Sequence, residues 1–125
     1  MPNTSNKDTA VEFLKLAASG KAHEAFQRHV TPGFRHHNAW FPGDGPSLMK
    51  AMDENAARNP DKELTIHRVV ADGDQVATFS HVRHNRNERG AAVVHFFRFE
   101  GDRIAELWDA GQEVPAESPN KNGMF

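Results

Sequence analysis

The segment "ELTIHRVVADGDQVATFSHVRH" (63–84) decides how this chain is read. It contains two runs rich in β-branched and aromatic residues, 63–71 and 75–84, joined by Asp-Gly-Asp at 72–74. Two such runs around a short glycine-containing connection indicate an antiparallel hairpin. The texture repeats downstream in "AAVVHFFRF" (91–99) and "RIAELWDAGQEV" (103–114), with "NRNERG" (85–90) and "EGD" (100–102) as connections. Four consecutive antiparallel strands are expected.

Upstream of this block the apolar period changes to that of a helix. In "NKDTAVEFLKLAASG" (6–20), Val11, Phe13, Leu14, Leu16 and Ala17 form one stripe, Ser5 and Asp8 resemble a capping box, and Gly20 supplies a stop. "KAHEAFQRHV" (21–30) reads as a second helix, broken by Thr31-Pro32-Gly33. "PSLMKAMDENAAR" (46–58) reads as a third, with Pro46 in its first turn. Helices followed by strands predict an α+β fold: three N-terminal helices packed on one face of a strongly curved, mainly antiparallel sheet. Such an arrangement leaves a concave pocket between the layers. Neither phase of the strands is cleanly polar, so both sheet faces are expected to be covered.

The 125 residues are expected to form a single domain, with 114–125 as a C-terminal tail. The net charge is −2 and no like-charge block occurs, which argues against nucleic acid or an anionic membrane as the partner. No apolar run approaches the roughly twenty residues of a membrane helix. The polar start "MPNTSNKD" has no apolar core of a signal peptide, so a cytoplasmic location is expected. Cysteine is absent, which excludes disulfides and thiolate chemistry, and the absence of tyrosine excludes a phenolic oxyanion donor. No phosphate loop or dinucleotide fingerprint is present, so no cofactor is expected.

Strand alternation selects the candidate chemistry. His81, His95 and Asp109 fall in mainly apolar phases of three different strands. An imidazole or carboxylate on such a surface must be hydrogen-bonded or shifted in pKa, which is how general acids and bases arise. A core histidine satisfied by a neighbour is the commoner occurrence at any one such position. A second candidate is "GFRHHNAWFPGDG" (33–45), where His36 and His37 precede Asn38, Trp40 and Phe41. Alternation separates the two histidines: if His37 faces inward, His36 is solvated. A zinc or iron site built from His37, His81, His95 and Asp109 is disfavoured, because the only adjacent pair, His36-His37, points apart. No metal is expected.

The elements "FRHHNAWFPGDG", "HRVVADGDQVATFSHVRHN", "RGAAVVHFFRFEGDRIAELWDAGQEVP" and "NGMF" resemble the SnoaL-like branch of the NTF2-like superfamily over nearly the whole chain. The resemblance implies a cone-shaped α+β barrel that dimerises through its open sheet face. It also implies a cofactor-independent acid/base enzyme of the polyketide cyclase type, performing an aldol condensation or isomerisation. Asp109, in the terminal "WD", corresponds to the family's acid/base residue. His37 and Asn38 correspond to its "HN" element, and His81 to the histidine of "SHV". The chain departs from the pattern at His95, where an aspartate is common, and at Leu107 and Phe79, where histidines are common. On this reading Asp109 is base and then acid, and an enolate needs donors from among His37, Asn38, His81 and His95. Trp40, Phe41, Phe79, Phe97, Leu107 and Trp108 offer apolar surface to a small hydrophobic or aromatic carbonyl ligand. The alternative is a non-catalytic ligand-binding or dimerising module, since this fold hosts both.

Overall fold

A computed structural model describes residues 5–125; the first four residues of the polar N-terminal segment lie outside the described residues. The elements are α1 (Asn6–Ala18), α2 (Ala22–His29), β1 (Val30–His36), α3 (Gly45–Arg58), β2 (Glu63–Asp72), β3 (Gln75–Arg83), β4 (Ala91–Glu100) and β5 (Arg103–Glu113). Three helices pack on a curved, unclosed sheet of order β1-β5-β4-β3-β2, antiparallel except for the β1–β5 pair. This is the expected α+β cone. No helix among the described residues is long and apolar enough to cross a membrane.

Local chemistry sets the helix ends. The Ser5 hydroxyl accepts from the Asp8 amide at 3.2 Å at the start of α1, and Asp44 caps α3 by accepting from the Ser47 amide at 2.9 Å. Each cap satisfies an amide that the helix itself leaves free. Thr31-Pro32-Gly33 does more than break α2: it lies within β1. Proline is tolerated there because β1 is an edge strand, where a missing amide costs no ladder bond on the open side.

The core fills the space between helices and sheet. Phe13, Phe97, Phe99, Ile104, Leu107 and Val76 are its largest fully buried apolar side chains. Phe13 meets Phe97 edge-on at 6.1 Å and Phe26 at 5.3 Å, and Phe26 continues the chain of rings to Phe34 at 5.4 Å. These geometries add to the stabilisation from burial alone.

Bulges determine which residues face this core. Arg98 pairs with Glu106 while Phe99 pairs with Ile104, so Ala105 is an extra residue in β5. His67 is likewise extra in β2, between Ile66 paired to Ser80 and Arg68 paired to Phe79. An inserted residue bends the strand and shifts its phase. The inner face therefore carries Ile104, Leu107 and Asp109 on β5. The outer face carries Glu106, Trp108 and Ala110.

Candidate active site

The inner face is apolar except for a small group of polar side chains. Thr78 on β3 stands opposite His95 on β4, and His95 stands opposite Asp109 on β5. Directly opposed residues share a face, so the three line up across the sheet, with Ser80 two residues along β3. The Thr78 and Ser80 hydroxyls and His95 Nδ1 are buried without a hydrogen-bond partner. A pure core avoids such atoms, because each costs about 1–3 kcal/mol. Burial pushes the His95 imidazole down to about 4, with Asp109 opposing the shift and Lys62 adding to it. The ring is neutral at neutral pH and can accept a proton.

Asp109 is held by Asn38, whose Nδ2 donates to both carboxylate oxygens at 3.1 and 3.3 Å. The loop after β1 places that amide. His36 is buried. Its Nε2 donates to the Pro42 carbonyl at 2.6 Å, and its Nδ1 accepts from the Asn38 amide at 3.1 Å. The Asn38 Oδ1 then accepts from the Trp40 amide at 3.0 Å. These bonds hold the Asn38 side chain from both ends, which fixes its direction.

His95 opens on a cavity of about 180 Å³ between α1, α3 and the sheet, lined also by Leu14, Met52, Leu64, Val93 and Lys62. A wider groove of about 600 Å³ adjoins it, with Lys15, Ser19, Asp53 and Asn59 on its walls. Ala18, Lys62 and Leu64 border both spaces.

Residues 10–107 match the SnoaL-like domain family. The chain belongs to the SnoaL-like family. Solved structures share its NTF2-like fold at low identity. A loop-truncation variant of IdmH superposes with a TM-score of 0.72 at 22% identity, covering 86% of this chain and 93% of its own. An NTF2-like protein of unknown function from Cytophaga hutchinsonii gives 0.71 at 16%, covering 90% and 95%. A protein from Jannaschia, provisionally assigned as a SnoaL-like polyketide cyclase, gives 0.70 at 14%, covering 90% and 92%. No curated protein matches the sequence significantly.

The SnoaL-like chain brings together only part of the constellation expected from its sequence. His95, Asp109 and Asn38 converge inside. Phe97 and Leu107 are also on the inner face, but fully buried in the core. The expectation for the histidine pair is reversed: His36 is buried, and His37 lies on the outer face. His37 N donates to the Leu107 carbonyl at 2.9 Å, which pins the backbone so that the ring falls outside. There it stacks on Trp108 at 4.8 Å and donates to Glu106 at 2.6 Å. His81 is also outside, donating to the Arg89 carbonyl at 2.7 Å beneath the ring of Phe125. Phe79 shares that face and packs on Phe125. Trp40 and Phe41 are exposed, at 86% and 43%, and wall no part of the cavity. With His37 and His81 outside and His95 and Asp109 inside, the four cannot surround one ion. Among the described residues no three His, Asp or Glu side chains cluster closely enough to hold a metal.

Three residues escaped sequence reasoning. His36 is the buried support of Asn38. Lys62 borders the cavity. Glu106 is 5% exposed on the outer face, where Arg35, His37 and Arg98 all donate to it. The Arg35 and His37 hydrogen bonds hold its carboxyl down at about 2. Only the charge complementarity of Arg35, Arg98 and Glu106 could have signalled that cluster, and only with the strand register known.

Proposed function

We propose that this SnoaL-like protein is a cofactor-independent catalyst of proton transfer at a carbon next to a carbonyl. The reaction would be an aldol cyclisation or an isomerisation of a hydrophobic compound. The observation that supports this most is a neutral, partly buried imidazole opening on an apolar cavity, with an oriented carboxylate directly across the ladder. His95 takes the proton as the carbon–hydrogen bond breaks, and the electron pair passes to the carbonyl oxygen. The Asp109 carboxylate, oriented by Asn38, stabilises the imidazolium that results. The imidazolium then returns its proton to carbon, or to the alkoxide formed when the enolate carbon adds to a second carbonyl. Asp109 thus becomes the charge partner, and His95 the group that meets the substrate.

Deuterium incorporation into benzylacetone, followed by NMR, tests this. Asp109→Asn keeps the hydrogen-bonding shape but loses the charge, and exchange should fall about tenfold or more. Exchange as fast as wild type, in a folded variant, would end the role of the carboxylate.

Non-catalytic ligand binding is favoured by one observation: an imidazole pushed down to about 4 is a weak base. In either case the outer face would pair with a second copy. Val94 and Phe96 are exposed there at 42% and 36%, beside Trp108 and Phe125. Sedimentation velocity should give a dimer that Phe96→Lys splits into monomers; a wild-type monomer at high concentration would overturn that arrangement.

A further inference from the structure

The cavity has a charged border that the proton-transfer reading does not use. Lys62 sits between the end of α3 and the start of β2, where its backbone amide donates to the Asn59 carbonyl at 3.0 Å. Its Nζ donates to the Asn55 Oδ1 at 2.7 Å, and among the described residues it has no carboxylate partner. An ammonium has three donors, so two remain free. The side chain is partly buried and borders both the inner cavity and the outer groove. Burial pushes its pKa down, the mark of an ammonium held where a counter-charge would be welcome. Lys15 stands on the wall of the same groove. Asp53 also lies there, but its Oδ1 already accepts from the Ala22 amide at 3.0 Å.

An apolar cavity with an under-used ammonium at its border and a neutral imidazole inside matches an amphiphilic anion. We infer that the ligand is a small carbonyl compound bearing a carboxylate, which Lys62 receives while the apolar body lies against Leu14, Met52 and Val93. This rests on the cavity being the substrate site, and it names the class that site takes. Lys62 is then a specificity-determining residue. His95 addresses the carbon adjacent to the ketone, and Lys62 the acid group.

Phenylpyruvate and its methyl ester separate the two ideas, because they differ in one charge and little in shape. Titration calorimetry on the whole protein should show the acid binding about tenfold more tightly than the ester, as expected for a charge-assisted hydrogen bond. Lys62→Met should abolish that preference and leave ester affinity unchanged. Lys62→Arg should restore most of it, which a merely structural lysine would not do. His95→Gln should keep the preference, since it leaves the ammonium in place. Equal binding of acid and ester to wild type, or a preference that survives in Lys62→Met, overturns the anion assignment while leaving the cavity as a site. Failure of both probes to bind a folded protein overturns the cavity reading and the assignment together.

Discussion

Replacing His95 by glutamine is expected to slow exchange at the ketone α-carbon by a factor on the order of 10²–10⁴, the usual contribution of a positioned general base. Glutamine retains a polar group of similar reach but cannot take the proton. Folding should survive, and its response to acid should change in a defined direction. In the native state the imidazole is depressed to about 4 from an ordinary 6.5, chiefly by burial. A group depressed in this way binds its proton more readily in the unfolded chain. The native advantage is complete above pH 6.5 and is lost as pH falls from 6.5 toward about 4. At about 1.4 kcal/mol per pKa unit, that loss is on the order of 3–4 kcal/mol. Urea midpoints compared between about pH 4.5 and pH 7 should fall steeply for wild type and weakly for His95→Gln. Below that window Glu106, held at about 2, makes both proteins lose stability as its carboxyl protonates. Undiminished exchange by a folded His95→Gln would remove the imidazole from the reaction. Parallel urea curves would show that it does not titrate across that window.

Phe97→Ala should cost about 3–5 kcal/mol, the usual range for truncating a fully buried aromatic. The ring has no solvent exposure. It lies edge-on to Phe13 at 6.1 Å, against Phe99 at 6.4 Å and beside His95 at 6.2 Å. Helices and sheet hold all of these neighbours in place, so the void cannot collapse and would run into the floor of the cavity. Phe96, one residue earlier, faces outward and touches Trp108 at 5.7 Å. Its truncation in the monomer should cost about 1 kcal/mol or less. Chemical denaturation of the two variants measures the contrast. Equal losses would mean that the faces of β4 are wrongly assigned.

The fold was legible because it depends on period. The switch from helical stripes to β-rich runs separated by glycine turns is a local property, and each turn sits where its residues allow it. The site was legible only in part, because faces depend on register. In the β4 strand nothing interrupts the alternation up to His95, and its inward position follows directly. In the β5 strand the extra Ala105 changes the phase: strict alternation would group Ile104 with Trp108, whereas the structure puts it with Leu107 and Asp109. Around His36 and His37 the decisive facts were a parallel pairing with β5 and two backbone hydrogen bonds, to Gly43 and Leu107. Those partners lie in a short loop and in a strand some seventy residues away, and no spacing announces them. Lys62 carried no signal at all, since its importance comes from a cavity that other residues enclose.

The bulge at Ala105 keeps two messages written on one strand in frame. Ahead of it, odd and even positions of β5 would address opposite sides; beyond it, they exchange roles. Deleting that single alanine would leave a regular ladder with the same faces, whereas inserting one residue after Glu106 with no new bulge to absorb it would turn Trp108 toward the helices and Asp109 toward solvent, without changing any side chain's chemistry. Substitutions along β5 and length changes within it are therefore different kinds of experiment. The first edits one surface at a time, and the second, wherever no bulge absorbs it, transposes the inside of the molecule with its outside.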